Sequence, residues 1–187
     1  MAGLNHIFSY VSFWFRATNA HGVHSPYVFD LLTRCFYVKR SIDSEKFLNR
    51  KLPYFKSAKL ICRVLNHYNF SEVLTFQKED INTQTALNSS KTAKKIINAS
   101  QVDVEEHAFI FMTCLNQNMN DFILNLFLNP PDEFTILIRN IRQNKATFQS
   151  WNSLKNNPNI TVSIDTYGHG FLVRRPGQVK EDFKIRL

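Results

Sequence analysis

Glycine is missing from most of this sequence. Of its five glycines, two precede Val23 and three follow Tyr167, so the long central stretch has none. Loops that hold phosphate groups and turns that hold nucleotides need glycine, because their backbone reaches positive φ or approaches the ligand where a Cβ would not fit. The sequence therefore excludes a P-loop and a dinucleotide-binding fingerprint from its central part.

Short apolar runs alternate with amphipathic segments through this glycine-free stretch. Strands are predicted at residues 72–76, 95–98, 108–113 and 134–139. The last two are nearly continuous apolar runs, which are typical of a parallel sheet covered on both faces. Helices are predicted at residues 57–68, with Ser57 as the N-cap, and at 121–128 and 145–154. This alternation predicts an α/β fold.

The sequence closes with an antiparallel pattern. Residues 159–165 and 171–175 alternate between apolar and polar side chains on either side of a glycine-containing turn, which predicts a hairpin. His169 lies between Gly168 and Gly170 and is interpreted as a turn residue. Because hairpin loops often carry function, this histidine could also approach a pocket.

An aromatic helix is predicted at residues 4–18. Its apolar side chains recur at helical spacing and are Leu4, Ile7, Phe8, Val11, Trp14 and Phe15. We expect this side to dock onto the rest of the domain, with a partner groove or a membrane surface as alternatives. Under those alternatives the candidate interaction residues are Phe8, Trp14 and Phe15.

The segment His21-Gly-Val-His-Ser-Pro26 follows this helix. Gly22 is expected to end the helix, Ser25 to cap a second helix and Pro26 to occupy its first position, where a missing N–H costs nothing. His21 and His24 could suggest a metal pair, but no Cys, Asp or Glu stands near them, so a structural role is favoured.

No Ser-His-Asp or Cys-His arrangement is found in the sequence. Lys78, Glu79 and Asp80 are interpreted as solvated loop charges.

The net charge of +8 arises at the two ends of the sequence. The candidate interaction residues there are Lys39, Arg40, Arg50, Lys51, Arg174, Arg175 and Lys180. With the aromatic residues between them, these cations could follow a phosphate backbone and stack on bases. An acidic protein partner or a solvated surface would fit the same residues.

Cysteine use and hydropathy bear on the compartment. The three cysteines, an odd number at wide spacing, are interpreted as reduced core residues of a cytoplasmic protein. No apolar run approaches the roughly 18 residues that span a bilayer. We expect neither a secretory signal nor a membrane span.

Two motifs stand near the ends of the sequence. They are His21-Gly-Val-His-Ser-Pro-Tyr-Val28 and Thr161-Val-Ser-Ile-Asp-Thr-Tyr-Gly-His-Gly-Phe-Leu-Val173, the latter running into Lys180-Glu-Asp-Phe-Lys-Ile-Arg186. These motifs resemble the ends of a bacterial family of class I S-adenosylmethionine-dependent methyltransferases. The resemblance spans nearly the whole chain in order, strongly at both ends and weakly between them. It implies a Rossmann-like sheet with N-terminal helices, whose last two strands are antiparallel.

The resemblance also implies a glycine-rich turn after the first strand, which wraps the methionine end of the cofactor. The corresponding positions here are Thr75, Phe76, Gln77, Lys78, Glu79 and Asp80, without a glycine. Side chains there would obstruct the close approach of the backbone to the cofactor, and forcing the turn would cost about 1 kcal/mol or more per residue. We interpret these residues as a vestigial site.

Three further departures from the family accompany the missing glycines. The carboxylate expected to bind the ribose is replaced by Asn98, followed by Ala99 and Ser100. The strand at 108–113 runs into Thr113-Cys-Leu-Asn116 and the strand at 134–139 into Arg139-Asn-Ile-Arg142, where acidic residues would be expected. The interval between the first strand and the strand at 108–113 is also short by roughly one strand and one helix.

These departures predict a methyltransferase fold that no longer uses its cofactor. Residues 1–56 are assigned to an N-terminal helical extension and residues 57–187 to a shortened methyltransferase-like α/β domain. The first hypothesis is an inactive binding or scaffold subunit with a protein partner, no catalytic residue, no metal and no cofactor. The alternatives are an active S-adenosylmethionine-dependent methyltransferase with an atypical cofactor site, and an RNA- or DNA-binding protein. Gly168, Gly170 and Gly177 are taken as structural, like the N-terminal motif.

Overall fold

The computed structural model describes residues 2–76, 79–90, 94–96 and 104–187 of the chain, and these residues form an α/β fold. One mixed sheet contains seven strands within the described residues. They are β1 (Val73–Thr75), β2 (Lys94–Ile96), β3 (Ala108–Met112), β4 (Phe134–Arg139), β5 (Val162–Asp165), β6 (His169–Arg174) and β7 (Glu181–Lys184). The predicted α/β class is therefore confirmed.

The strands lie in the order β2-β1-β3-β4-β6-β5-β7. The first four are parallel to one another, whereas β6 is antiparallel to both β4 and β5. The predicted terminal hairpin is thus confirmed by the pairing of β5 with β6. Strand β7, which runs parallel to β5 at the sheet edge, was not predicted because three of its four residues are charged.

Six α-helices lie in the described part of the chain. They are α1 (Ala2–Arg16), α2 (Pro26–Asp30), α3 (Phe55–His67), α4 (Ile81–Leu87), α5 (Gln117–Leu126) and α6 (Lys145–Lys155). Helix α2 continues as a π-helical segment over Leu31–Phe36, and short 3-10 turns cover Ala20–Gly22 and Asp43–Phe47. Among the described residues, no helix is long and apolar enough to cross a membrane.

The sheet is buried on both faces, which explains its continuous apolar runs. Successive side chains of a strand point to opposite faces, so Phe109 and Phe111 of β3 pack with α3 and α4 while Ile110 packs with α5 and α6. The π-helical Leu31 and Leu32 join the first of these two cores. Side chains of the segments 1–56 and 57–187 therefore share one apolar core.

The motif around Ser25 behaves largely as the sequence predicts. The Ser25 hydroxyl accepts a hydrogen bond from the Val28 amide at 3.5 Å, and Pro26 opens α2. Gly22 does not end the first helix, because α1 stops at Arg16. Gly22 lies in a 3-10 turn, where an added Cβ would sit 2.0 Å from the Thr18 hydroxyl oxygen.

The predicted cap of the third helix is also wrong. Helix α3 begins after Tyr54, whose φ of 58° is left-handed, and Ser57 is buried within the first turn. The Ser57 hydroxyl lies 2.9 Å from Nε2 of His169. Ser57 is therefore satisfied by a residue distant in sequence rather than by the backbone of its own helix.

Gly170 permits a close contact between the sheet and α6. A Cβ at this position would lie 2.4 Å from the ring of Trp151, which is 1% exposed. Real Cβ atoms do not approach a ring so closely, and the buried indole has no room to retreat. Glycine at position 170 is thus a packing requirement of β6.

We expect Gly170→Ala to destabilise the fold by about 1–3 kcal/mol, because the added methyl overpacks the Trp151 site. Gly168→Ala is the matched control, since a Cβ at Gly168 would meet no heavy atom within 4 Å. Urea denaturation of the two variants measures the difference. Equal free energies of unfolding would contradict the proposed contact.

Candidate functional site

The sheet reverses its direction of growth between β1 and β3. The chain adds β2 on one side of β1 and β3 on the other. Ligands of open α/β sheets bind outside the carboxyl ends of the strands at such a switch point. The vestigial site assigned from the sequence starts here, with Thr75 at the end of β1. Gln77 and Lys78 of that site, and the ribose-position residues 98–100, lie outside the described residues.

The described side chains that follow β1 pack inward at this edge. Glu79 is 7% exposed, and its carboxylate accepts a hydrogen bond from the hydroxyl of the buried Thr75 at 3.1 Å. The ring of Phe76 meets that of Phe122 edge-on, with 4.7 Å between centroids. The interpretation of Glu79 as a solvated loop charge is therefore wrong, because the residue is buried against β1.

Asp80 also has a structural role, because its side chain is the N-cap of α4. Its carboxylate accepts hydrogen bonds from the amide and the hydroxyl of Thr83, at 3.0 and 2.6 Å. Burial acts to raise the pKa of Asp80, but these hydrogen bonds and the nearby guanidinium of Arg139 outweigh it and hold the pKa below its usual value. Asp80 is thus an ionised structural group and not the solvated loop charge expected from the sequence.

Arg139 joins this edge from the end of β4. The side chain is buried, and its Nη1 donates to Asp80 at 3.1 Å and to the Thr83 hydroxyl at 3.0 Å. Its Nη2 lies 3.8 Å from a Glu79 carboxylate oxygen, and the guanidinium stacks over the ring of Tyr54 at 3.8 Å. We call Arg139, Glu79, Asp80, Thr83 and Tyr54 the Arg139 cluster.

Asn82 holds the loop that carries Tyr54 over this edge. Its side-chain amide donates to the carbonyl oxygens of Asn49 and Pro53, at 2.9 and 3.1 Å, and its carbonyl oxygen accepts from the Asn49 amide at 2.9 Å. These three bonds tie the loop before α3 to the first turn of α4. The aromatic side of the Arg139 cluster is therefore fixed by the fold.

The carboxyl end of β3 carries no acidic side chain in this structure. Asn116, one of the residues there, serves as the N-cap of α5 and accepts from the Met119 amide at 3.0 Å. Cys114 is a free thiol, partly exposed, and Cys35 and Cys62 are free and buried. Within the described residues, no three His, Cys, Asp or Glu side chains are grouped as a metal site.

His169 is the first residue of β6 and not the turn residue expected. Burial, with a smaller contribution from the positive charge of Arg139, lowers the pKa of His169 to about 4. The neutral ring lines a groove of about 540 Å³ beside α1. The alternative that this histidine approaches a pocket is therefore confirmed.

The apolar side of α1 does not dock onto the domain, contrary to expectation. Phe8 and Phe15 are 69% and 77% exposed, and Trp14 is half-exposed. The helix is held through Phe13, which is buried. Its ring lies 5.4 Å from that of Tyr167.

Arg142 anchors this attachment of α1. Its guanidinium makes two hydrogen bonds to Asp165, at 2.7 and 2.5 Å, and lies 5.2 Å from the Phe13 ring and 4.8 Å from the Tyr167 ring. In the sequence, Arg142 stands out only as a basic residue where the family resemblance implies an acidic one. Its position three residues after a buried strand could have indicated a functional side chain. The sequence did not reveal its partner, because Asp165 is distant from it in the chain.

The candidate basic residues divide into two groups. Those on the N-terminal side are exposed, and they are Lys39, Arg40, Arg50 and Lys51. On the C-terminal side, Arg174 donates to the Asn159 side chain at 2.7 Å and Arg175 stacks over Tyr27 at 4.8 Å. Lys180 donates to the backbone carbonyl of Ile160 at 2.8 Å. The side chains of this second group are therefore engaged by other residues of the same chain.

The remaining motif residues lie away from the sheet edge. His21 is in the 3-10 turn after α1, and His24 lines a cleft of about 690 Å³ together with Arg175 and Gly177. Gly177 has a φ of 72°, which favours glycine. The structure thus brings Glu79, Asp80 and Arg139 together but separates them from both histidines.

Comparison of the chain with protein-family models, curated proteins and solved structures gives no match.

We expect Arg139→Met to lower the free energy of unfolding by about 3 kcal/mol at pH 7, because it removes the cation that pairs with Asp80 and lies near the buried Glu79. The folded-state pKa of Asp80 lies below its unfolded value of about 3.9, so its contribution is present above that pH and lost as the pH falls. The deficit of the variant should therefore shrink below about pH 4. Arg34→Met, which breaks an exposed pair with Asp30, is the control and should cost under about 1 kcal/mol. Equal losses in the two variants would refute the cluster's role.

His169 should make the fold less stable in mild acid. The imidazole has a pKa of about 6.5 in the unfolded chain and about 4 in the folded one. Between these values the unfolded chain binds more protons, so the free energy of unfolding decreases as the pH is lowered. The loss from pH 7 to pH 5 should be about 2 kcal/mol. His169→Gln, compared by urea denaturation at both pH values, should remove it. An imidazole resonance of His169 titrating near pH 6.5 would contradict this account.

Proposed function

We propose that this chain is a catalytically inactive, methyltransferase-like protein that acts as a binding subunit through its exterior. The observation that carries this proposal is the Arg139 cluster, which occupies the sheet edge where a methyltransferase would hold its cofactor. The antiparallel pairing of β5 with β6 agrees with the sheet that the family resemblance implies. The motifs at both ends of the chain supply the rest of that resemblance.

The chemistry of the cluster disfavours the methyl donor. S-adenosylmethionine carries a positively charged sulfonium, and the buried guanidinium of Arg139 already neutralises part of the negative charge that Glu79 and Asp80 place at this edge. The nearby carboxylates, Glu79 and Asp80, are already engaged with Arg139 and with the hydroxyls of Thr75 and Thr83. A cofactor would have to displace these partners to obtain a carboxylate of its own.

An active enzyme with an atypical cofactor site is the competing function. A cofactor that used the Asp80 carboxylate would have to compete with Arg139 for it, and breaking a buried ion pair costs about 3–5 kcal/mol, which is an upper bound here because Asp80 is partly exposed. That cost would be subtracted from an affinity that is about −8 kcal/mol for a micromolar ligand. The buried and paired state of the edge therefore favours the inactive protein.

The exterior retains features that suit binding. Helix α1 presents large exposed apolar side chains, and single-chain proteins seldom leave such a surface uncovered. Nucleic-acid binding is supported by fewer residues than the sequence suggested, because Arg174 and Lys180 are held by hydrogen bonds to the protein. The surface of α1 is the better-supported place of contact.

Isothermal titration calorimetry with S-adenosylmethionine, and with its demethylated product, should give no binding heat. A thermal unfolding scan with the same ligands at millimolar concentration should show no shift. A cofactor present at 100 times its Kd would stabilise the fold by about 2.7 kcal/mol, which such a scan detects. Binding at a low micromolar Kd would overturn the proposal.

A further inference from the structure

Helix α1 carries an apolar stripe that faces away from the protein. Its members lie at positions 7, 8, 11 and 15, which share one side of an α-helix. They are Ile7, Phe8, Val11 and Phe15, each at least 44% exposed. Phe13 lies on another side of the helix and is buried against the domain. The attachment of α1 thus leaves this stripe uncovered.

The charge around α1 argues for an anionic surface as its partner. No Asp or Glu occurs in the sequence before Asp30, and the chain as a whole carries +8. Lys56, Lys59 and Arg186 line the groove beside α1. A second copy of this chain would bring these cations against their equivalents, which opposes self-association through the stripe.

Three kinds of side chain follow one another across the surface of α1. The aliphatic and phenylalanine side chains of the stripe come first, Trp14 and Tyr10 flank them on the groove side, and the groove cations lie beyond. The Arg186 guanidinium stacks over the Trp14 ring at 4.8 Å, which joins the last two zones. Hydrocarbon, interfacial aromatic rings and cations at the phosphate level follow one another in the same order at a bilayer surface.

A nucleic acid fits the stripe poorly. Ile7 and Val11 offer neither a ring on which a base could stack nor a hydrogen-bond donor for a phosphate. The cations lie beside the stripe and not within it. Helix α1, of 15 residues and about 22 Å long, presents the stripe at positions 7–15 as a convex ridge that a fluid lipid surface can accept.

We propose that α1 lies in the surface of an anionic lipid bilayer, with its apolar stripe among the acyl chains and the groove cations at the lipid phosphates. This inference rests on the proposed binding role and names its partner. Its failure is distinguishable from failure of the inactive-enzyme proposal, because cofactor titration probes the Arg139 cluster and lipid binding probes α1. The protein is attached at the surface and does not span the bilayer.

Vesicle binding by the full chain tests the inference. The probes are vesicles of phosphatidylcholine alone and vesicles containing 30–40% phosphatidylglycerol, roughly the amount needed for a strong negative surface potential. The sequence has two tryptophans, and Trp151 is buried in the core, so a blue shift of the emission on adding vesicles reports Trp14. We expect binding to the anionic vesicles at least about tenfold tighter than to the neutral ones.

Matched variants identify the surface. Phe8→Ser combined with Phe15→Ser should weaken binding to the anionic vesicles at least about tenfold, because two large side chains no longer enter the lipid. Phe47→Ser is the control, since Phe47 is 77% exposed but lies outside α1. Lys56→Gln with Arg186→Gln should reduce the preference for anionic lipid. Quenching of Trp14 by lipids carrying a spin label on the acyl chain gives the same test without any variant.

Each of several outcomes would overturn the inference. They are no binding to anionic vesicles, unchanged binding by the Phe8→Ser and Phe15→Ser variant, a concentration-dependent dimer that this variant abolishes, and salt-dependent binding to an oligonucleotide that it abolishes. Sedimentation velocity and an oligonucleotide titration distinguish the last two. Absence of acyl-chain quenching of Trp14 would count equally against a helix lying in the bilayer surface.

Discussion

The buried guanidinium of Arg139 governs the chemistry of this fold. It ends a parallel strand, β4, and reaches back to Glu79 and Asp80 beyond the end of β1. A charge this deep is tolerated only when it is paired and hydrogen-bonded. The pairing places ion-paired side chains at the sheet edge where an α/β fold ordinarily binds a ligand. It also contributes to the low pKa of the neighbouring His169.

A second arginine determines how the exterior is arranged. Arg142 binds Asp165 with two hydrogen bonds and lies beside the ring of Phe13. Because this contact holds α1 by one buried phenylalanine, the apolar stripe is left facing outward. The two arginines lie three residues apart, and one pairs with carboxylates at the sheet edge while the other contacts the residue that attaches α1. Both contacts agree with the proposed inactive protein that binds through α1.

Predictions from the sequence succeeded where the signal was local and periodic. The runs that became β3 and β4, the Ser25 cap and the terminal hairpin depend on neighbouring residues, and all were confirmed. They failed where a distant partner decided the outcome. The Ser57 hydroxyl bonds to His169, and Asp80 bonds to Arg139 as well as to the first turn of its own helix. The apolar stripe of α1 stays exposed within the described residues.

The sequence by itself determined the class of fold, because alternating apolar periods restrict the backbone to an α/β sheet, and it determined that no glycine directly follows the first strand. Only the tertiary structure decided how Glu79 and Asp80 are engaged there and which side of α1 faces outward. Burial of Glu79 and pairing of Arg139 join residues about 60 positions apart. A periodic pattern shows that a helix has an apolar side, but the contacts elsewhere in the fold decide whether that side is covered.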